Sequence, residues 1–270
     1  MLNEDIHLSV IIPAYNEELR LPRTLDQTID YLKGQHYKSE ILVVNDGSGD
    51  GTEQVVRDYA SGPVPLQLLT HPDRANHGKG ASVKLGMMRA WGAYRLFMDA
   101  DNSTTVNQID RFWPMFAQGY QVVIGSRALK DSFIGVHQAR YKEIAGRLGN
   151  WVIRRLAVPG IADTQAGFKM FGGKEAETIF PRLTIDRWGY DIELLAIAKN
   201  CGYRICEVPI SWINDPSSKV TFGSYLEVLS EVWRIRRNLK AGLYDVNTSP
   251  ASGQSAVTAF HRSKRIEDRR

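Results

Sequence analysis

The sequence predicts an α/β fold: a mostly parallel central sheet with helices on both faces. Three observations predict it. Between residues 7 and 105, short and almost wholly apolar runs alternate with stretches of helical spacing. Strands with no polar face are those covered on both sides, as in parallel sheets. Each apolar run also ends in polar, glycine or acidic residues, and such sheets bind ligands beyond the carboxyl ends of their strands.

The elements follow in order. "HLSVIIPAY" (His7–Tyr15) is a β-branched run closed by Pro13 and reads as a buried strand. Leu19, Leu21, Leu25, Ile29 and Leu32 then recur at roughly helical spacing. "EILVVNDGS" (Glu40–Ser48) is a second strand, and "GTEQVVRDYA" a helix with Thr52 as its expected N-cap. "LQLLTHP" is a third strand, Gly78–Gly92 a helix and "AYRLFMDADNS" a fourth strand. Three polar clusters, "PAYNE", "NDGSGDGT" and "DADNST", are thereby expected on one rim. Later the pattern is mixed. "YQVVIGSR" (Tyr120–Arg127), "GFKMF" and "YRICEVPISW" supply strands, Arg140–Leu156 reads as a basic helix, and a final helix runs over Ser224–Leu243.

The 270 residues suit one large α/β domain or two small ones, and no interdomain linker or internal repeat is evident. One domain over residues 1–245 with a disordered basic tail over 246–270 is the simplest organisation. The tail holds Arg262, Lys264, Arg265, Arg269 and Arg270 against Glu267 and Asp268, and has no apolar periodicity. A net charge of +4 is too small to point to nucleic acid. Cys201 and Cys206 are too few for a zinc site or a disulfide framework, so reduced thiols and a cytoplasmic setting are expected. No apolar run reaches roughly 18 residues, and the N-terminus has no apolar signal core.

Asp99 and Asp101 are the sharpest feature. Residues i and i+2 of an extended chain point the same way, so two carboxylates share a face at a strand end. That pairing suits Mg²⁺ or Mn²⁺, which take one or two carboxylates plus phosphate oxygens. A polar turn capping the next helix is the alternative. Asp46, in an Asx-Gly cluster, reads as a turn or a ligand contact, and Glu17 as a first-turn acid or a pocket residue.

Eight segments in order carry a resemblance: "VIIPAYNEELRLPRTL", "ILVVNDGSGDGT", "NHGKGASVKLGM", "LFMDADNST", "VVIGSR", "DTQAGFKMF", "RWGYDIELL" and "EVPISWINDPSSKV". Over residues 7–243 the chain resembles the inverting family 2 glycosyltransferases, and within them the dolichyl-phosphate (polyprenyl-phosphate) β-glucosyltransferases. The resemblance implies a GT-A, Rossmann-like fold, with a nucleotide-binding half (7–105) and an acceptor half (106–245). It implies that Pro13, Ala14, Tyr15, Glu17, Asp46 and Lys79 line the nucleotide pocket, with Asp46 accepting from a uracil N–H. Asp99 and Asp101, with Ala100 between them, resemble the metal pair that bridges to the diphosphate. Ser103 stands where mannose-type relatives carry a third metal-side group and is a weaker ligand. Gln165 resembles a residue near sugar or diphosphate, and Lys219 the family's basic residue near the diphosphate. Arg127 matches a position that holds the acceptor phosphate, with Arg140 and Arg147 as further candidates. Asp191 resembles the acid near the acceptor, as base or as a cation's orienter, and Asp163 is read as structural.

The implied reaction moves glucose from UDP-glucose to a polyprenyl or dolichyl phosphate with Mg²⁺ or Mn²⁺. A phosphate monoester, with its second pKa near about 6, is largely ionised at neutral pH and attacks without a base. A sugar hydroxyl needs one, and Asp191 is then the candidate. GDP-mannose or UDP-N-acetylglucosamine as donor, a saccharide hydroxyl as acceptor, and a non-catalytic nucleotide-sugar-binding module are the alternatives. A dinucleotide-binding site is disfavoured, since "PAYNEE" replaces a G-x-G-x-x-G after the first strand. A lipid acceptor implies a peripheral enzyme on the cytoplasmic face of a membrane. The last helix, with Tyr225, Val228, Val232 and Ile235 near one side and Arg234, Arg236, Arg237 and Lys240 close by, reads either as an interfacial or as a core-packing helix. Trp188 and Trp212 read as core or as contacts to sugar or lipid.

Overall fold

The structure is a computed structural model that describes residues 6–135, 157–213 and 222–245, with side chains of the last stretch described from Val228 onward. Seven strands form one sheet: β1 (Leu8–Ala14), β2 (Ser39–Asn45), β3 (Leu66–Thr70), β4 (Tyr94–Phe97), β5 (Val122–Ser126), β7 (Lys169–Gly172) and β8 (Ile205–Pro209). Their order is β3-β2-β1-β4-β7-β5-β8. All neighbours are parallel except β7, which runs antiparallel to β4 and β5. β6 (Phe133–Ile134) and β9 (Ser211–Trp212) pair as a separate parallel ribbon.

Every residue of β1 and β2 is buried. Alternate side chains enter two separate cores: Ile11, Leu42, Val44 and Phe97 on one face, and Val10, Ile12, Ile41, Val43 and Leu96 on the other. The second core takes the buried sides of α1 (Leu21–Lys33) and α2 (Thr52–Tyr59). The first takes α3 (Lys79–Arg89), α5 (Gly173–Ile179), α6 (Tyr190–Asn200) and α7 (Phe222–Lys240). The short α4 (Trp113–Ala117) follows a 3₁₀ turn at Val106–Arg111. The fully apolar strands are explained by these two cores.

Pro13 lies inside β1 rather than closing it, and pairs in register with Val44. The β4 ladder on the other side of β1 stops at Ile11, so the missing proline N–H falls beyond it. Gly86 lets α3 lie directly on the sheet, since a Cβ there would come 2.4 Å from Ile11 Cγ2.

Several details differ from expectation. Leu19 is 89% exposed and precedes α1, which starts at Leu21 with Pro22 in its first turn. Gly51, not Thr52, is the N-cap of α2. Asp50 Oδ1 accepts the Thr52 backbone N–H (3.0 Å) and hydroxyl (2.5 Å), so the carboxylate two residues earlier satisfies the helix start. β4 ends at Phe97 and the chain turns at Ala100–Asp101, so Asp99 and Asp101 lie in a turn, not on an extended strand. The expected helix at 140–156 and the tail at 246–270 lie outside the described residues.

α7 ends at Lys240, short of Leu243, and its apolar side is a core face: Val228, Val232 and Ile235 are buried. Its opposite side carries Leu229 (42% exposed) and Trp233 (70% exposed) with the exposed Arg236, Arg237 and Lys240. At about 100° per residue these five lie within an arc of about 100°.

Glu193, fully buried on α6, ties this half together. Its Oε2 accepts the backbone N–H groups of Thr184 (2.9 Å) and Ile185 (2.8 Å). Its Oε1 accepts the Thr184 (2.7 Å) and Tyr244 (2.6 Å) hydroxyls. One residue on, the Asp186 carbonyl accepts the Ala81 N–H (3.0 Å), which fixes the start of α3. An amide at position 193 would aim a donor at donors. Glu193→Gln is expected to cost roughly 2–4 kcal/mol and Tyr244→Phe about 1 kcal/mol, read from urea unfolding midpoints. Equal stability of Glu193→Gln and the parent would contradict this role.

Candidate active site

The carboxyl ends of β2, β1 and β4 adjoin, and their loops are strapped together. Asn16, at φ 55°, receives its link from Ser48: its N–H donates to Ser48 Oγ (3.0 Å), and its Oδ1 accepts the Gly49 N–H (2.9 Å). Glu18 Oε2 accepts the Gly51 N–H (2.7 Å), and the Glu17 N–H donates to Thr52 Oγ1 (2.8 Å). Pro13 and Ala14 are buried beneath this seam and Tyr15 is 41% exposed above it. The Glu17 carboxylate is held by Arg20 through Nε and Nη2, both at 2.6 Å.

Asp46 is buried just past β2. Its Oδ1 accepts the His77 N–H and its Oδ2 the Gly78 N–H, both at 2.9 Å, so it pins the loop that leads into α3. A carboxylate has about four lone-pair sites, so capacity remains for a further donor. Beside it lies a shallow cavity of about 270 Å³ lined by Asn45, Gly47, Ser48, Glu53, Thr70 and Arg74. Gly47, at φ 72°, admits no side chain, because a Cβ would meet the backbone of Ala75 at 2.7 Å.

A second cluster sits at the end of β4 and over β7 and β5. Lys79, the first residue of α3, places Nζ 2.5 Å from Asp99 Oδ1. Burial by itself lowers the Lys79 ammonium, but the carboxylates of Asp99, Asp191 and Asp101 outweigh it and hold its pKa above the ordinary lysine value. Burial and the neighbouring Asp99 charge raise the Asp101 carboxyl, against the Ser103 N–H that donates to its Oδ1 (2.9 Å). Ser103 thus orients Asp101 through its backbone. Thr24 Oγ1 donates to the Ala100 carbonyl (2.7 Å) and so anchors the turn to α1.

Asp191, buried at the start of α6, is paired with Lys169 of β7, which has no exposed surface. Lys169 also donates to the Ala166 carbonyl. Burial raises Asp191 and lowers Lys169, each opposed by the charge of the other. Arg127 meets Asp163 by its backbone N–H (2.9 Å) and Nε (2.7 Å) on Oδ2 and by Nη2 (2.8 Å) on Oδ1. Burial lowers Arg127, but Asp163, Asp99 and Asp191 together raise it, which places the guanidinium in the same field as the acidic cluster. Glu207 of β8 holds Asp163 in turn, accepting the N–H groups of Ala162 (2.7 Å) and Asp163 (2.9 Å). Gln165 is exposed on the same 162–167 turn. Lys219, Arg140 and Arg147 lie outside the described residues.

No group of three or more His, Cys, Asp or Glu side chains is arranged to hold a divalent cation among the described residues. Asp99 Oδ1 is buried and makes no hydrogen bond of ordinary geometry there, its compensation being the Lys79 charge. Two carboxylates two residues apart are a donor set suited to a hard cation that takes its other ligands from phosphate and water, and Asp99 would meet it beside the Lys79 ammonium that lies 2.5 Å from its Oδ1.

Lys169 and Glu207 were not singled out from the sequence. Lys169 had a signal, as the one charged residue inside the apolar "AGFKMF". Glu207 looks like any strand acid.

Gly167 touches this centre most closely: a Cβ there would fall 2.0 Å from Asp99 Oδ2. Gly167→Ala is therefore expected to displace the Asp99 carboxylate and lower turnover about a hundredfold while thermal unfolding shifts little. Unchanged turnover in that variant would show that Asp99 need not sit there.

Comparison with known proteins gives concordant results. The Glycosyl transferase family 2 profile matches residues 9–172. The chain is 33% identical to dolichyl-phosphate beta-glucosyltransferase of Dictyostelium discoideum, over 91% of this chain and 78% of that protein. It is 36% identical to a dolichyl-phosphate beta-glucosyltransferase of Trichomonas vaginalis, over 85% and 73%, and 30% identical to that of Homo sapiens, over 88% and 77%. Among solved structures it is similar to Mycobacterium tuberculosis glucosyl-3-phosphoglycerate synthase in complex with Mn²⁺, UDP-glucose and phosphoglyceric acid. The TM-score is 0.58 and the identity 20%, covering 93% of this chain and 83% of that one. S. aureus TarS with UDP-GlcNAc aligns at a TM-score of 0.54 and 18% identity, covering 85% and 66%.

Proposed function

The chain belongs to Glycosyl transferase family 2, and from that premise we propose that it transfers glucose from UDP-glucose to the phosphate of a polyprenyl or dolichyl phosphate. The relatives named for glucosyl transfer to dolichyl phosphate, aligned over most of both chains, support the sugar and the lipid. The observation that carries the acceptor chemistry is the Asp191–Lys169 pair. Asp191 Oδ1 is taken by the buried Lys169 ammonium, so a proton accepted from a sugar hydroxyl would leave that ammonium without its counter-charge. An ionised phosphate needs no base, only cations to hold it.

In this reading Asp99 and Asp101 would hold Mg²⁺ or Mn²⁺ with the donor's diphosphate, and that group would supply charge neutralisation at the leaving UDP. Lys79 remains beside the same oxygens as a second positive charge. Pro13, Ala14, Tyr15, Glu17, Asp46 and the cavity beside Asp46 receive the nucleoside, and Ala100 and Gln165 flank diphosphate and sugar. Arg127 gives one edge, Nε and Nη2, to Asp163 and keeps the opposite edge for the acceptor phosphate. Asp191 and Lys169 orient that end of the site. Lys219, Arg140 and Arg147 keep their proposed places near the diphosphate and the acceptor.

No helix among the described residues is long and apolar enough to cross a membrane. The outer arc of α7 has three cations, a leucine and a tryptophan, and suits the interface of an anionic bilayer. This supports peripheral contact with a membrane, which we place on the cytoplasmic side.

The test supplies UDP-glucose, GDP-mannose and UDP-N-acetylglucosamine in turn with a polyprenyl phosphate in detergent. Labelled lipid is expected from UDP-glucose alone, and none in EDTA. Because Asp191→Asn alone would strand the buried Lys169 ammonium, the pair is replaced together, and Asp191→Asn with Lys169→Met is expected to lower kcat about tenfold. A loss near 10⁴-fold would mark Asp191 as a working base and favour a hydroxyl acceptor. Label from another donor would overturn the sugar, and UDP-glucose binding without any product would favour a binding module.

A further inference from the structure

Trp212 is half-buried, and its ring meets a charge. The Arg127 guanidinium lies over the indole, 5.3 Å from the ring centroid. A cation over an aromatic face is attracted to the ring without using a hydrogen-bond acceptor, so the contact leaves the N–H groups of Arg127 for other partners. Nε and Nη2 are taken by Asp163, at 2.7 and 2.8 Å. Nη1 has no hydrogen-bond partner among the described residues, and the side chain is 32% exposed. The guanidinium is gripped on one edge and one face, and its second edge is the part left to bind.

Backbone bonds fix the ring in this place. Trp212 pairs in register with Ile134 across the β6–β9 ribbon, and its carbonyl accepts the Gly135 N–H (3.0 Å). On either side of it the chain is tied to a part of the site. The Ile210 N–H donates to the carbonyl of Ser126, the residue before Arg127 (3.3 Å). The Ile213 N–H donates to the carbonyl of Ser103, two residues after Asp101 (2.9 Å). Successive side chains of a strand point to opposite faces, so Ile213 is turned outward, 55% exposed, while Trp212 is turned to Arg127.

We propose that Trp212 is the positioning residue for the acceptor-binding arginine: its ring and the Asp163 carboxylate together hold the guanidinium so that the Nη1 edge meets the acceptor's phosphate. The proposal rests on the reading of Arg127 as the residue that holds that phosphate. An arginine already held in one pose loses less freedom when a phosphate arrives than one free to swing. Trp212 acts through Arg127, so its contribution belongs to the acceptor and not to the donor.

The test uses the full chain with Trp212→Leu, the aromatic control Trp212→Phe, Arg127→Lys, and Arg127→Lys combined with Trp212→Leu. Lysine keeps a charge against Asp163 but loses the second edge of the guanidinium. Binding of a short prenyl phosphate and of UDP is measured by calorimetry. Trp212→Leu is expected to weaken prenyl phosphate binding about fivefold and to leave UDP affinity within about twofold of the parent, while Trp212→Phe binds both ligands within about twofold of the parent. In the Arg127→Lys background, Trp212→Leu should weaken prenyl phosphate binding by less than about twofold more, because the ring acts through the guanidinium. Unchanged prenyl phosphate binding in Trp212→Leu, or an equal loss for UDP, would overturn the positioning role. So would the same loss from Trp212→Leu in the Arg127→Lys background, which would make the ring a contact for the lipid itself. If the parent does not bind prenyl phosphate, or Arg127→Lys binds it as tightly as the parent, the reading of Arg127 falls and this proposal with it. If Arg127→Lys is weakened about tenfold and Trp212→Leu is not weakened, the proposal alone falls.

Discussion

The structure depends on pairing charge at the ends of its strands. Asp99, Asp101, Asp191 and Asp163 are drawn to one end of the sheet, and left alone they would repel one another and resist burial. Lys79 answers Asp99, Lys169 answers Asp191 and Arg127 answers Asp163. The three cations come from α3, β7 and the end of β5, so the pairing also staples elements distant in sequence. Replacing either partner in such a pair strands a charge, which is why the sheet, its loops and the site form one unit.

That arrangement explains local choices with no other evident purpose. Gly167 is bare because the Asp99 carboxylate occupies the space its side chain would need. Gly86 is bare so that α3 can sit close on β1 and deliver Lys79 to the rim. Because β7 runs antiparallel to its neighbours, its first residue, Lys169, lies at the rim where they end. Glu207 and Glu193 perform the same task one layer out, each holding a pair of backbone N–H groups so that Asp163 and the start of α3 cannot drift.

Much of this was legible in the sequence. Apolar runs with no polar face reported a doubly covered sheet, and their acidic and glycine-rich ends reported the rim on which the loops carrying Asp46, Asp99 and Asp101 lie. Pairings across long separations were not legible. Nothing local tells that Arg127 meets Asp163 or that Asp191 meets Lys169, and a lysine in a strand looks like a surface residue until both sheet faces are known to be covered. Leu19 and Thr52 failed for a simpler reason: helical spacing and a hydroxyl mark helix starts only to within a residue or two, and Pro22 and Asp50 decided the outcome. On α7 the basic residues and the choice between an interfacial and a core-packing helix were legible, but Leu229 and Trp233 were not, because an apolar residue in a helix reads as core until its face is known.

The central claim is that the Asp99–Asp101 turn is where a divalent cation and a nucleoside diphosphate are held together. Calorimetric titration of UDP into the protein, with Mn²⁺ and with EDTA, tests it most directly when done on the parent and on Asp101→Asn. The account predicts that Mn²⁺ tightens UDP binding by at least about tenfold in the parent and leaves Asp101→Asn unaffected. Equal UDP affinity with and without Mn²⁺ in the parent, or the same gain in Asp101→Asn, would contradict it.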